Sequence, residues 1–233
     1  MAVGLTPQER KGKTMGSKTK VILGAIAAIL FAALIVLLKE IDVAAIGPEG
    51  TTVGFARINQ AVHELTGEHM KLYDITQYLG YAAIVVAAWF ALVGLLQLIQ
   101  ERSFRRVDRS IWALAVLYIA VAALYVFFEK FIVNYRPIIM PGETEPAASF
   151  PSSHTMLFFV IFGSAAMMAG RHIQNGAARI AVQALCWVLV AFAVAARLVS
   201  GVHWCTDIVG GVLISTALLL FFSAALPDRE NYQ

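Results

Sequence analysis

Residues 78–99 read YLGYAAIVVAAWFALVGLLQLI, 22 positions without a charge. At about 1.5 Å of helical rise per residue this stretch matches the hydrocarbon thickness of a bilayer, which takes about 20 apolar residues to cross. Its apolar side chains fall on every side of a helix. A surface helix of a soluble domain would confine them to one stripe. Tyr78–Ile99 therefore reads as a transmembrane helix.

Five further runs have the same character: Val21–Leu38, Ile111–Phe128, Thr155–Gly170, Ile180–Ala196 and Ile208–Leu226. Thr155–Gly170 is shorter but free of charge, and Ile180–Ala196 carries only Gln183 as an interior polar residue. In hydrocarbon a helix satisfies its own backbone, so the six runs predict six transmembrane helices. The composition agrees. Of 233 residues 59% are hydrophobic and 14% are charged, against about 25% charged in soluble domains. That excludes a disordered chain and leaves room for one membrane domain with no separate soluble one. The fold class is all-α: an integral membrane bundle of six helices.

The basic residues orient the bundle. Arg10, Lys11, Lys13, Lys18 and Lys20 precede the first run. Arg102, Arg105, Arg106 and Arg109 follow the second, Arg171 and Arg179 follow the fourth, and Arg229 follows the sixth. Twelve of the 18 lysines and arginines thus share one side, which the positive-inside rule makes cytoplasmic, with both termini there. Residues 1–20 form a basic cytoplasmic segment, 21–226 the membrane domain and 227–233 a cytoplasmic tail. The first run follows a basic head as a signal peptide would. It is longer than a cleavable core and Ala44-Ala45 is a poor processing site, so it reads as a retained helix. A net charge of +3 spread in this way gives no nucleic-acid surface. Cys186 and Cys205 lack metal-motif spacing, and a bridge between them is open in principle.

The long outer loop, 39–77, is broken early by Gly47-Pro48 and Gly50. Phe55, Ile58, Val62, Leu65, His69 and Leu72 then recur at steps of three and four. This predicts an amphipathic helix, either on the outer membrane face or packed on the bundle. His63 and His69 on it read as surface residues.

Three polar stretches interrupt outer helix ends: Lys130–Arg136-Pro137, Pro151-Ser152-Ser153-His154 and Arg197–His203–Asp207. Charges at such depth need partners or a function. Asp207 follows His203 by four, so a helix starting near His203 puts both on one face, where the carboxylate can fix the imidazole tautomer. The structural alternative is a helix-entry ion pair favoured by the dipole. A metal pair would lack a third ligand. Ser at a helix start is an expected N-cap, and the same start offers free amides and hydroxyls to phosphate. Lys130 and Arg136 can bind phosphate oxygens as a point charge and a planar fork, or Lys130 can snorkel at its helix end. Together the stretches hold three cations, hydroxyl and amide donors, two histidines and a carboxylate. That inventory fits phosphoryl transfer through a phosphohistidine without a metal.

At these residues the chain resembles the type-2 phosphatidic acid phosphatase superfamily, membrane lipid phosphatases related to vanadium haloperoxidases. The family's three motifs are Lys, six residues, Arg-Pro; Pro-Ser-Gly-His; and Ser-Arg, five residues, His, three residues, Asp. The third matches from Arg197 through His203 to Asp207, with Ala196 at the Ser place. The second has Ser153 where Gly is usual. In the first, five residues separate Lys130 from Arg136, and Glu129 occupies the usual lysine place. The motifs span Lys130–Asp207, and the six-helix plan extends the likeness over most of the chain. The resemblance implies His203 as nucleophile, Asp207 as its orienting carboxylate and His154 as the acid and base. It implies Lys130, Arg136, Ser152, Ser153 and Arg197 as phosphate ligands, and no metal or other cofactor.

The expected substrate is a lipid phosphate or diphosphate entering sideways from the bilayer. Undecaprenyl (polyprenyl) diphosphate, hydrolysed to the monophosphate at the outer face of a bacterial cytoplasmic membrane, is the first choice. Alternatives are phosphatidylglycerol phosphate, phosphatidic acid, transfer to another lipid hydroxyl, and a non-catalytic lipid-binding or transport bundle. Gly211 and Ser215 have small-residue spacing that usually serves packing within a bundle, so no oligomeric state is read from them.

Overall fold

The computed structural model describes residues 15–227. Arg10, Lys11, Lys13 and Arg229, used above for orientation, lie outside the described residues. The helices are α1 (Ser17–Glu40), α2 (Ala56–Thr66), α3 (Met70–Glu101), α4 (Arg109–Lys130), α5 (Ser153–His172), α6 (Gly176–Val199) and α7 (Cys205–Ala225). All but α2 are long and apolar enough to cross a membrane, so the six expected spans are present. Each apolar run lies in its own helix. The outward faces remain apolar, with Ile29, Val85, Val116, Ile119 and Val188 exposed where lipid tails would lie.

The centre of the bundle is α5, of whose apolar window 67% is buried, against 6% for α3. The helices α6, α7, α3 and α4 all pack on it, and α1 runs along α7. Phe158 and Phe162 of α5 pack with Ala83 of α3 and Ala193 of α6. Met156 and Val160 face Leu117 of α4 and Leu219 of α7. Phe31, Phe128 and Phe150 close the bundle near the site, the first and last stacked at 5.7 Å. Two interior polar contacts join neighbouring helices, as hydrocarbon favours. Tyr118 Oη pairs with Ser164 Oγ at 3.0 Å, and Gln183 Nε2 donates to the Ala166 carbonyl at 3.1 Å. Cys186 and Cys205 are free thiols.

The loop between α1 and α3 departs from expectation. The amphipathic helix ends at Thr66, because Gly67 takes φ 67° and donates its N–H to the His63 carbonyl. Leu72 belongs instead to α3, which starts at Met70 inside the stretch read as loop. The periodicity continued across two helices and so hid the break. Of the two placements left open for this helix, the structure has α2 packed on α7. Leu65 is 87% exposed. The residue that docks α2 is polar: Asn59 donates to the Gly54 carbonyl (2.8 Å) and Thr206 Oγ1 (3.0 Å) and accepts the Thr206 N–H (3.2 Å). A fully buried Asn59 thus caps the first turn of α7.

Candidate active site

The site is assembled at the end of the bundle where α4 and α6 finish and α5 and α7 begin. After α6, Ser200 and Gly201 turn the chain, Gly201 with φ 73°. A Cβ there would also lie 2.4 Å from the Gly67 carbonyl oxygen, so glycine suits both the backbone and the contact. The turn folds His203 back on Arg197. Arg197 Nη2 stands 2.9 Å from His203 Nε2, and Nη1 donates to Thr76 Oγ1 at 3.1 Å. The guanidinium lies 5.1 Å from the centre of the Tyr73 ring. Arg197 is wholly buried.

Arg136 approaches from the α4–α5 connection. Its Nη1 donates to the Val202 carbonyl at 3.2 Å and lies 3.5 Å from His203 Nε2. A guanidinium can only donate. Two of them at Nε2 make that nitrogen the acceptor and place the imidazole proton on Nδ1. His203 Nδ1 faces Asp207 Oδ2 at 3.5 Å, longer than a well-formed hydrogen bond. The same Oδ2 accepts the Trp204 N–H at 2.9 Å. Burial first, then Arg136 and Arg197, hold the His203 pKa well below its ordinary value, which favours the neutral ring with its Nε2 lone pair turned to the two guanidiniums. Burial also lowers the Arg136 pKa, although an arginine remains protonated at any ordinary pH.

The start of α5 supplies the third side. Ser152 Oγ accepts the Thr155 N–H at 3.4 Å, and the Ser152 N–H donates to the Asp207 carbonyl at 3.1 Å. Ser152 is therefore the buried N-cap, its hydroxyl turned to its own helix, and Ser153 is the serine that lines the cavity. Glycines permit this crossing: a Cβ on Gly210 would lie 2.4 Å from the Phe150 ring. His154 sits beside Gly80 of α3, where a Cβ would be 3.6 Å from the imidazole, and against Phe158. It lies within electrostatic reach of Arg136, Arg197 and His203.

A cavity in front of His203 is lined by Tyr125, Glu129, Arg136, Ser149 and Ser153, among others. Lys130 is not among its walls. It ends α4 with an exposed side chain, and Glu129, one step back on the helix and also exposed, is the one that borders the cavity. With five residues between Lys130 and Arg136, Lys130 stands outside the cavity that Arg136 lines. The chain therefore brings two cations, Arg136 and Arg197, to His203 and not the three expected. Among the described residues no three His, Cys, Asp or Glu side chains gather as a metal site.

A family model described as PAP2 superfamily matches residues 111–231. The chain belongs to the PAP2 superfamily. The match takes in all three polar stretches and four of the six spans. No curated protein matches the sequence. Among solved structures the PAP2 chain is similar to the crystal structure of a transmembrane PAP2-type phosphatidylglycerolphosphate phosphatase from Bacillus subtilis. The TM-score is 0.59 at 18% identity, over 86% of this chain and 93% of that one. At that identity the likeness is one of fold. This is a PAP2-superfamily chain with six helices long and apolar enough to cross a membrane.

Sequence reasoning passed over several PAP2-site residues. Tyr73 and Thr76 lay in the supposed loop. Asn59 carried no motif. Asn134 and Ser149 stood inside or beside the motifs, and their polarity in buried surroundings was the available signal.

Proposed function

We propose that this chain hydrolyses a membrane lipid phosphate through a phosphohistidine. His203 Nε2 attacks phosphorus. The bond to the leaving oxygen breaks, and that oxygen takes a proton from His154. The same imidazole then accepts a proton from water, whose oxygen displaces His203 and frees inorganic phosphate. Arg136, Arg197, Ser153 and the first amides of α5 bind the equatorial oxygens, where charge builds up in the pentavalent state. The observation that carries this reading is His203 Nε2 held between two guanidiniums. An acceptor nitrogen there is a nucleophile already placed against the groups that would hold its target.

Polyprenyl diphosphate, cleaved to the monophosphate at the outer face of a bacterial cytoplasmic membrane, remains the first substrate. The lipid would approach sideways with its tail in the bilayer. A second reading, a lipid phosphomonoester such as phosphatidylglycerol phosphate, is favoured by one observation. Glu129 at the cavity and Lys130 outside it leave less positive charge than a diphosphate calls for.

The test is phosphate release by purified protein from polyprenyl diphosphate, phosphatidylglycerol phosphate and phosphatidic acid, with and without a chelator. Wild type should release phosphate in both conditions, and His203→Ala should not. Equal release by both proteins would sink the phosphohistidine. Transfer without free phosphate would make the chain a phosphotransferase. Loss of activity on chelation would end the metal-free mechanism. A cysteine at Glu143 should label from outside intact cells and one at Arg105 should not. The reverse pattern would place the chemistry in the cytoplasm.

A further inference from the structure

Asp207 is a fully buried carboxylate, and the Trp204 N–H is its one well-formed side-chain hydrogen bond. Buried ionised groups are tolerable only when several donors surround them. Two further donors flank this one: the Asn134 side-chain amide and the Ser149 hydroxyl. Asn134 is 1% exposed and Ser149 3%, beside His203 at 3%. Asn134 Nδ2, Ser149 Oγ and Asp207 Oδ1 are each buried without a completed hydrogen bond. Their chemistry is complementary, with two donors next to one acceptor. Polar atoms at this burial nearly always pair, and catalytic hydrogen bonds are often long in an unliganded enzyme and tighten on binding.

The backbone presents these two side chains in a fixed register. Ser149 N–H donates to the Asn134 carbonyl and Arg136 N–H to the Ala147 carbonyl, each at 2.9 Å. Trp204 Nε1 donates to the Tyr135 carbonyl at 2.7 Å. The paired segments are thereby pinned to the residue that also donates to Asp207. The Ser149 backbone lies within reach of the His203 ring as well. Its carbonyl and Asp207 Oδ2 can share the Nδ1 proton.

We infer that Asn134 and Ser149 are positioning residues that fix the Asp207 carboxylate, and through it the Nδ1-protonated form of His203. The inference rests on the phosphohistidine reading. The two act through Asp207, Asn134 from outside the cavity lining and Ser149 from the cavity wall beside His203. Removing either lets the carboxylate turn and the imidazole tautomers mix, and leaves lipid binding intact.

The experiment uses the full chain in detergent micelles, with Asn134→Ala, Ser149→Ala and Ser149→Thr, each alone and with Asp207→Asn. Each alanine change should lower kcat about tenfold, the lower end of what lost outer-shell support costs, with KM unchanged. Ser149→Thr, which keeps a hydroxyl, should recover most of the rate. In the Asp207→Asn background neither alanine change should cost more. Histidine nitrogen NMR should show an Nδ1–H signal for His203 in wild type and a tautomer mixture in the alanine variants. Unchanged kcat, or the same loss in the Asp207→Asn background as in wild type, would overturn the inference. A wild type that hydrolyses no lipid phosphate would sink the phosphatase reading instead. The NMR signal alone would then judge the pair: a tautomer unchanged in both alanine variants rejects it, and a mixture upholds it.

Discussion

Arg197 Nη2 lies 2.9 Å from His203 Nε2 while Nη1 of the same guanidinium donates to Thr76 on α3. One buried cation thus ties the end of α6 to the first turns of α3 and to His203. A lysine can supply a charge but not both directed bonds. Arg197→Lys should fold and lose about 10²-fold in kcat, the usual scale for removing one preorganised oxyanion donor. Thr76→Val leaves the charge and removes only its anchor, and should cost about tenfold, near the value of one hydrogen bond to a charged group. Steady-state kinetics on both variants check this. Losses of equal size would mean that Arg197 acts through its position on α3 and not at phosphorus.

The pH dependence follows from the same crowding. Burial, Arg136 and Arg197 all lower the His203 pKa, so the neutral imidazole persists below the ordinary imidazole range. The acid limb of kcat/KM, which reports the free enzyme, should fall well under pH 6.5 wherever His203 sets it. Arg136→Gln removes one of the lowering influences. His203 then protonates at higher pH, and the acid limb should move up toward 6.5 whatever happens to the plateau. A limb that stays in place would separate Arg136 from the titration of His203.

The six spans were legible because hydrocarbon imposes a length and an all-round apolarity that few other structures share. His203, Asp207, Arg197 and Arg136 were legible because charged groups stand out against such helices. What escaped depends on rotation and on contacts across the chain. Lys130 and Glu129 are neighbours on one helix, and only the turn of α4 decides which faces the cavity. Ser152 and Ser153 are alike in sequence, yet one caps its helix and the other meets the cavity. Asn59 lies 147 positions from the Thr206 it holds, a pairing no local pattern reveals. The polar start of α3 looked like loop because Tyr73, Asp74, Thr76 and Gln77 interrupt its apolar run.

Asn59 should be a stability residue with a catalytic consequence. It caps α7, whose first turn carries Asp207. Asn59→Ala leaves the Thr206 N–H and the Gly54 carbonyl without their partner in a buried place. A lost cap costs about 1–2 kcal/mol, so the variant should unfold earlier in a detergent thermal melt. Its kcat should also fall, because Asp207 shifts with the helix start. Normal melting together with normal kcat would show that α2 is dispensable for holding α7.

Gly210 and Gly176 make a matched pair of tests for how closely α7 must approach the start of α5. A Cβ on Gly210 would lie 2.4 and 2.6 Å from the Phe150 ring, while one on Gly176 meets nothing within 4 Å. Phe150 has no room to retreat, being stacked on Phe31 and edge-on to Phe128. It leads directly into Pro151-Ser152-Ser153-His154, so a displaced ring carries the N-cap and His154 with it. Gly210→Ala should destabilise by about 1–3 kcal/mol through overpacking and lower kcat as well. Gly176→Ala, in the first turn of α6, should be neutral or slightly stabilising, since alanine is the better helix former. Thermal melts and kinetics on the two variants in parallel decide the matter. A Gly210→Ala protein as stable and active as Gly176→Ala would mean that the α5–α7 crossing tolerates a wider spacing than the site geometry requires.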